Sequence, residues 1–282
     1  MRSHFISTLI CLIPAAATAQ KAPVDQGLLI QSPLHRVGEG LNMPSTQVST
    51  EARVSRATLR VRFHSPEDPS GYEENATAFQ IAPDLAITNR HVVERLVGAG
   101  RLKTSKGLEL AEARLGGMEL ASEALHLLFR ASKIAYCSQS LDFCLLRLAP
   151  LQDGRTPGEL LESLKPYRSL DFLSAQKGPV IGVMGNMNGE GIQTASDRLV
   201  QIRAPGLLLH CVPTTSHESG GNSGSPVFDA SGNIVGIDAY SLKLDSGCKK
   251  RAGTTGGGIS SEAFLRDLLE NRSELYLEIQ PL

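Results

Sequence analysis

A chain of 282 residues, 41% of them hydrophobic, has enough apolar content for one large domain or two small ones. Its net charge of −1 excludes the basic surplus that a nucleic-acid or anionic-membrane partner requires. With 27 glycines against 8 Phe, 5 Tyr and no Trp, many turns are expected.

The N-terminus reads as an export signal. Met1-Arg-Ser-His4 is a short positive segment, Phe5 to Ala16 is apolar but too short to span a bilayer comfortably, and Ala17-Thr-Ala19 is a small-x-small cleavage pattern. Residues 1–19 are therefore expected to be removed, leaving Gln20 as the new terminus of a secreted or periplasmic protein. A retained anchor competes with that reading, and a lipid-modified Cys11 is a weaker rival. No later stretch is long and apolar enough for a transmembrane helix, so no membrane contact is expected after signal removal. Cleavage takes Cys11 away and leaves Cys137, Cys144, Cys211 and Cys248. An even number in an exported chain points to disulfides, for which three pairings exist. Cys137–Cys144 with Cys211–Cys248 keeps each bridge within one half of the chain and is the expected set. The absence of a Cys-x-x-Cys spacing argues against structural zinc.

Residues 20 to about 55 are polar, broken by prolines and glycines, and without a sustained period; they read as an N-terminal arm. Ala57 to His64 alternates as a strand, with Leu59, Val61 and Phe63 on one face. Ala78 to Ala82, the break Pro83-Asp84, and Leu85 to Thr88 read as a hairpin. Further on, Leu120, Ala124, Leu127, Leu128 and Ala131 fit a helical spacing in an otherwise strand-rich context. Leu141 to Leu148 is a buried strand ended by Ala149-Pro150, and a connector over about 150–167 follows.

The second half again reads as strands, at Val180–Met184, Leu199–Arg203, Leu207–His210, Ser225–Phe228 and Ile234–Ile237. Gly185-Asn-Met-Asn-Gly-Glu-Gly191 lacks the Lys-Ser/Thr ending of a phosphate loop and reads as an ordinary loop. Near the end, Ser260 or Ser261 caps a helix in which Phe264/Leu268 and Leu265/Leu269 form i,i+4 pairs. Many short strands with one terminal helix indicate an all-β barrel or sandwich.

One stretch carries a chemical suggestion: Ser219-Gly-Gly-Asn-Ser-Gly-Ser-Pro-Val-Phe228. Glycines on both sides of Ser223 permit positive φ and a tight turn that aims backbone N–H groups at one point. Alone, such a string is a glycine-rich hairpin loop, because a serine hydroxyl is a poor nucleophile without a base. Of the seven histidines, His91 stands apart. It follows the strand Leu85–Thr88 and opens a short apolar turn, Val92 to Leu96, a junction that projects a side chain into a cleft. Asp142 heads the buried run Phe-Cys-Leu-Leu-Arg-Leu, where an unpartnered carboxylate is costly, and His91 Nδ1–H is a suitable donor to it.

Thr88-Asn-Arg-His91-Val-Val, Asp142-Phe-Cys-Leu-Leu-Arg-Leu and Gly221-Asn-Ser-Gly-Ser-Pro226 resemble, in that order, the three motifs of trypsin-like (chymotrypsin-fold) serine proteases. The nearest branch is the bacterial one that includes HtrA-type proteases and exported glutamyl endopeptidases. α/β-Hydrolase esterases run Ser, Asp, His instead. The resemblance covers roughly residues 57–270. It implies an all-β fold of two six-stranded antiparallel barrels, over 56–155 and 156–282, with a C-terminal helix on the second. The site would lie in the cleft between them. It further implies Ser223 as nucleophile, His91 as general base then acid, Asp142 as orienter, and an oxyanion hole from the Gly221 and Ser223 N–H groups. No metal or organic cofactor is implied; partners would be protein or peptide substrates, and a monomer is expected.

Two departures qualify the resemblance. Asn222 stands where digestive members carry an Asp that pairs with a newly cut N-terminus, so activity is expected not to depend on that ion pair. Only about twelve residues follow the helix, too few for the PDZ domain of HtrA proteins. By the family's layout the pocket walls come from His217 to Gly220 and from Asp238 to Ser241. His217 suits an acidic substrate side chain and Asp238 a basic one, so specificity stays open. The alternative functions are a non-catalytic binding protein on the protease fold and an esterase using the same triad.

Overall fold

The buried runs of this sequence pack on two sides at once, and that property builds the fold. The computed structural model describes residues 45–63, 76–97, 118–168, 180–186, 191–203, 206–213, 220–242 and 253–280, all within the unit Met43–Leu282. Strands β1 (Thr58–Phe63), β2 (Ala76–Ala82), β3 (Leu85–Thr88), β4 (Met118–Ser122), β5 (Leu127–Cys137) and β6 (Cys144–Leu148) form a closed antiparallel barrel in the order β1-β2-β3-β6-β5-β4. Successive side chains of a strand point to opposite faces. Ala76, Ala78, Ala86, Cys144, Leu146 and Leu148 accordingly fill the barrel interior. The alternate residues Phe79, Ile81, Leu85, Ile87 and Leu145 face outward into a second apolar cluster. Burial on both faces is why β2 and β6 do not alternate strictly between apolar and polar residues.

The outward cluster is where the two sheets meet. Strands β7 (Val180–Asn186), β8 (Ile192–Arg203), β9 (Leu207–Pro213), β10 (Pro226–Asp229), β11 (Ile234–Leu242) and β12 (Gly253–Ser260) form a second antiparallel sheet. Its ladder runs β7-β8-β9-β12-β11-β10, with β10 also pairing β7, so the two sheets repeat one strand order. Met184, Phe228, Ile234, Ile237 and Ile259 from this sheet join Phe79, Ile87, Phe143 and Leu145 from the first. Between the sheets the chain forms a short helix, α3 (Pro157–Leu160), and then bonds to both. Leu164 N–H donates to the Gln80 carbonyl at 3.0 Å, and Ile234 N–H to the Lys165 carbonyl at 2.8 Å.

Helices cover the seam. Helix α1 (Ser45–Ala57) occupies the end of the segment read as an arm. It buries Val54 and Ala57 in the inter-sheet cluster, and Thr50 Oγ1 donates to the Ala230 carbonyl at 3.1 Å. Helix α4 (Ser261–Asn271) is capped by Ser260, whose side chain accepts from Ala263 N–H. It buries Phe264, Leu265 and Leu268 but leaves Leu269 exposed. A second C-terminal helix, α5 (Ser273–Ile279), follows at once and buries Leu275 and Ile279. No helix among the described residues is long and apolar enough to cross a membrane.

One local expectation needs correcting, and one strand went unread. The helical spacing over 120–131 belongs to a hairpin, β4–β5, whose turn places His126 at φ 53°. Leu120, Phe129 and Ala131 face the barrel interior, while Leu128 is exposed. Strand β12 is a strand despite its Gly-Gly-Gly run. A Cβ on Gly258 would lie 1.9 Å from the Ile237 carbonyl oxygen, so the closeness of β11 excludes any side chain there.

Candidate active site

The residue before a helix and those of its first turn have N–H groups without intrahelical partners. Helix α2 (Arg90–Val97) begins one residue before His91, and Asp142 exploits this. Its Oδ1 accepts the His91 backbone N–H at 2.8 Å, and its Oδ2 lies 2.7 Å from His91 Nδ1. An ionised carboxylate only accepts, so Nδ1 carries the ring proton and Nε2 keeps its lone pair. That tautomer follows from the partner. Buried Asn89 adds a third tie, donating from Nδ2 to the Asp142 carbonyl at 2.9 Å.

The loop that carries Asp142 is held from every side. The disulfide Cys137–Cys144 closes it at its base, where β5 and β6 pair the two cysteines directly. Arg90 donates to the Ser138 and Gln139 carbonyls at 2.9 and 3.1 Å. Ser138 Oγ accepts the Leu141 N–H at 3.0 Å and itself donates to Asp267 on α4 at 3.1 Å. Closing so short a loop removes chain entropy worth about 2–3 kcal/mol from the unfolded state. Replacing Cys137 and Cys144 together by Ala should lower Tm by roughly 5–10 °C, and wild-type protein in reductant should match it in thermal melts. An unchanged Tm in both would refute this role.

Asp267 is buried and accepts from three hydroxyls: Tyr136 at 2.7 Å, Ser138 at 3.1 Å and Ser140 at 3.3 Å. The Tyr136 phenol is pushed up to about 12, first by burial and then by its hydrogen bond to Asp267 and that residue's charge. A raised phenol means the fold favours the neutral form. That contribution is complete below the ordinary tyrosine value of about 10 and is lost as pH rises through about 12. Asp267→Asn should cost about 1–3 kcal/mol, because the amide nitrogen meets hydroxyls that were donating. Tyr136 should then titrate nearer the ordinary value, as phenolate absorbance would read; an unmoved titration would exclude Asp267 as a cause.

Ser223 lies in the loop between β9 and β10. Gly220, Gly221 and Gly224 have φ of +67°, +102° and +90°, the left-handed region that favours glycine. A Cβ on Gly224 would also lie 1.9 Å from the Thr77 carbonyl oxygen. Gly224 N–H donates to the Asp238 carbonyl at 2.9 Å and Ser225 N–H to the Asn222 carbonyl at 2.8 Å. Thr77 N–H, from β2, donates to the Ser223 carbonyl at 2.9 Å. Among the described residues the Gly221 and Ser223 N–H groups have no acceptor, as a site for an incoming oxyanion requires.

The structure brings His91 and Asp142 into direct contact. Ser223 Oγ donates to the Ala239 carbonyl at 3.3 Å rather than to His91; such bonds are often long or absent without substrate. Of the residues assigned to the pocket, Gly220 is exposed with open space around it. Asp238 is buried beneath the nucleophile loop, its own N–H donating to the Ser225 carbonyl at 2.9 Å. Ser241 pairs with Gly256 in the β11–β12 ladder. The side chain of Ser241, the whole of His217 and the expected Cys211–Cys248 bridge lie outside the described residues. Thr77, Asn89, Arg90 and Asp267 were not legible as site residues, since only tertiary contacts give them that part.

A profile of the trypsin-like peptidase domain matches residues 76–237. No curated protein matched the chain in sequence. Among solved structures, the Rv3671c protease from M. tuberculosis in its active form is 16% identical with a TM-score of 0.53, covering 84% of this chain and 93% of that one. A serine endoprotease from Yersinia pestis is 14% identical with a TM-score of 0.53, covering 83% and 68%. The HtrA-type protease AlgW with tripeptide is 14% identical with a TM-score of 0.51, covering 80% and 64%. At these identities the structures speak for the fold, while the profile spans more than half of the chain. The chain belongs to the family of trypsin-like peptidase domains and is a serine-type endopeptidase.

Proposed function

We propose that this chain is an exported serine endopeptidase in which Ser223, His91 and Asp142 form the catalytic triad, in a cleft between two closed barrels. The supporting observation is the doubly bonded His91–Asp142 pair, which leaves His91 Nε2 as a proton acceptor. In the reaction, Nε2 takes the Ser223 Oγ proton as Oγ bonds to the scissile carbonyl carbon. The carbonyl oxygen becomes an oxyanion, held by the Gly221 and Ser223 N–H groups. Collapse expels the amine, which receives the proton from His91, and leaves an acyl-enzyme. Water, deprotonated by His91, then releases the acid and restores Ser223.

The test is a fluorophosphonate label followed by peptide mapping, paired with digestion of a peptide library. A single adduct on Ser223 and peptide cleavage that disappears in Ser223→Ala support the reading. A labelled protein that cleaves esters but no peptides indicates the esterase, and an unlabelled one a binding protein on the protease fold. The same mapping reads the mature terminus, expected at Gln20; an intact Met1 would refute export by cleavage.

A further inference from the structure

We propose that the hydroxyl of Thr77 is a positioning group for the oxyanion loop, acting across the seam from the first sheet on Gly221 of the second; this rests on the protease reading above. Thr77 is fully buried. Its Oγ1 lies 2.8 Å from the Gly221 carbonyl oxygen and 2.9 Å from the Asn186 backbone nitrogen. An N–H only donates and a carbonyl only accepts, so the direction of both bonds is fixed: Asn186 donates to the hydroxyl, and the hydroxyl donates to Gly221. The hydroxyl's rotation is thereby removed.

The consequence falls on three successive peptide groups. The Gly221 carbonyl is held by Thr77 Oγ1, the Asn222 carbonyl by the Ser225 N–H, and the Ser223 carbonyl by the Thr77 N–H. In a trans peptide the N–H points opposite to the carbonyl of the same group. Fixing the Asn222 carbonyl therefore aims the Ser223 N–H, while fixing the Gly221 carbonyl aims the Asn222 N–H and anchors the Cα of Gly221, two rotatable bonds from the peptide group that carries its own N–H. Glycine at 221, with φ of +102°, offers no steric resistance to turning. Thr77 supplies that restraint from outside. Thr88, three residues before His91, completes the link by donating from Oγ1 to the Thr77 carbonyl at 2.7 Å. One buried threonine thus connects the strand that leads to the base with the loop that carries the nucleophile.

Thr77→Val keeps the shape of the side chain and deletes the donor. Losing an oxyanion donor outright costs a hundredfold or more, so misaligning one is expected to lower kcat roughly ten- to a hundredfold, with KM nearly unchanged. Thr77→Ser, which keeps the hydroxyl, is expected to restore the rate. A peptide aldehyde, whose adduct with Ser223 places an oxygen in the hole, should lose affinity in parallel with kcat. The corresponding peptide alcohol should bind as before, which a general loosening of the fold would not allow. If Thr77→Val fails to fold, Thr77→Cys, a weak donor of similar shape, should give an intermediate rate. A wild-type rate in Thr77→Val or Thr77→Cys overturns the inference, as does a loss that Thr77→Ser does not repair. Wild-type protein that neither labels at Ser223 nor cleaves peptides would instead overturn the protease reading itself.

Discussion

Ser223→Ala is expected to lower kcat for peptide hydrolysis by about a millionfold, the largest single effect available in this molecule. The magnitude reflects how the proposed triad divides its labour. Without Oγ no acyl-enzyme forms, and His91, however well oriented by Asp142, has no proton to take. What survives is the background supplied by binding and by the proposed oxyanion donors Gly221 and Ser223, roughly a thousand- to ten-thousandfold over water. Among the described residues the Ser223 hydroxyl bonds to the Ala239 carbonyl alone, at 3.3 Å, so its removal should leave the loop standing and peptide affinity intact. Residual hydrolysis measured over days, together with peptide binding to the variant, checks both halves of this expectation. Activity within tenfold of wild type would remove Ser223 from the chemistry.

Asp142→Asn is expected to cost about ten-thousandfold in kcat with little change in stability. The reason lies in the doubly bonded carboxylate. Asp142 offers one oxygen to the His91 N–H and the other to Nδ1, whereas an amide has a single oxygen. If that oxygen keeps the backbone N–H, the amide nitrogen faces Nδ1 and forces it to accept. The ring proton then sits on Nε2, where it blocks transfer from Ser223. The opposite orientation sets two donors against each other at the first turn of α2, which is worse. Kinetics under single-turnover conditions would show the loss in acylation, and an NMR assignment of the ring tautomer would show its cause. A fall of less than tenfold would mean that Asp142 does not orient His91.

The motifs proposed for the site were more legible in the sequence than the scaffold around them. The residues proposed for the triad lie in short local motifs, where chemistry demands particular residue types at particular spacings. Strands with two buried faces were legible in part: Ala78–Ala82 read as half of a hairpin and Leu141–Leu148 as a buried strand, and the strands run Ala76–Ala82 and Cys144–Leu148. The hairpin at Leu120–Ala131 was not, because a tight turn between two strands shifts the apolar phase into something close to a helical repeat. Gly253–Ser260 was silent because glycine lowers strand propensity, and the reason for glycine there is an approach of β11 that only three dimensions reveal. Thr77 and Asp267 are ordinary residues in sequence. Each matters through partners far along the chain, and no window of neighbouring residues contains that information.

The bond from Thr77 to Gly221 spans 144 positions, and that separation bears on when activity can arise. Contacts between distant residues form late, because the loop between them must be closed before they give anything back. During synthesis the strands of the first barrel are complete before Ser223 is made, while the Asp142 loop still awaits its ties to Asp267. Even after Ser223 emerges, its loop has no fixed shape until β2 of the completed barrel docks against it. The restraint that Thr77 places on Gly221 therefore belongs to the late-forming contacts of the fold, since both sequence-distant partners must be made before it can exist.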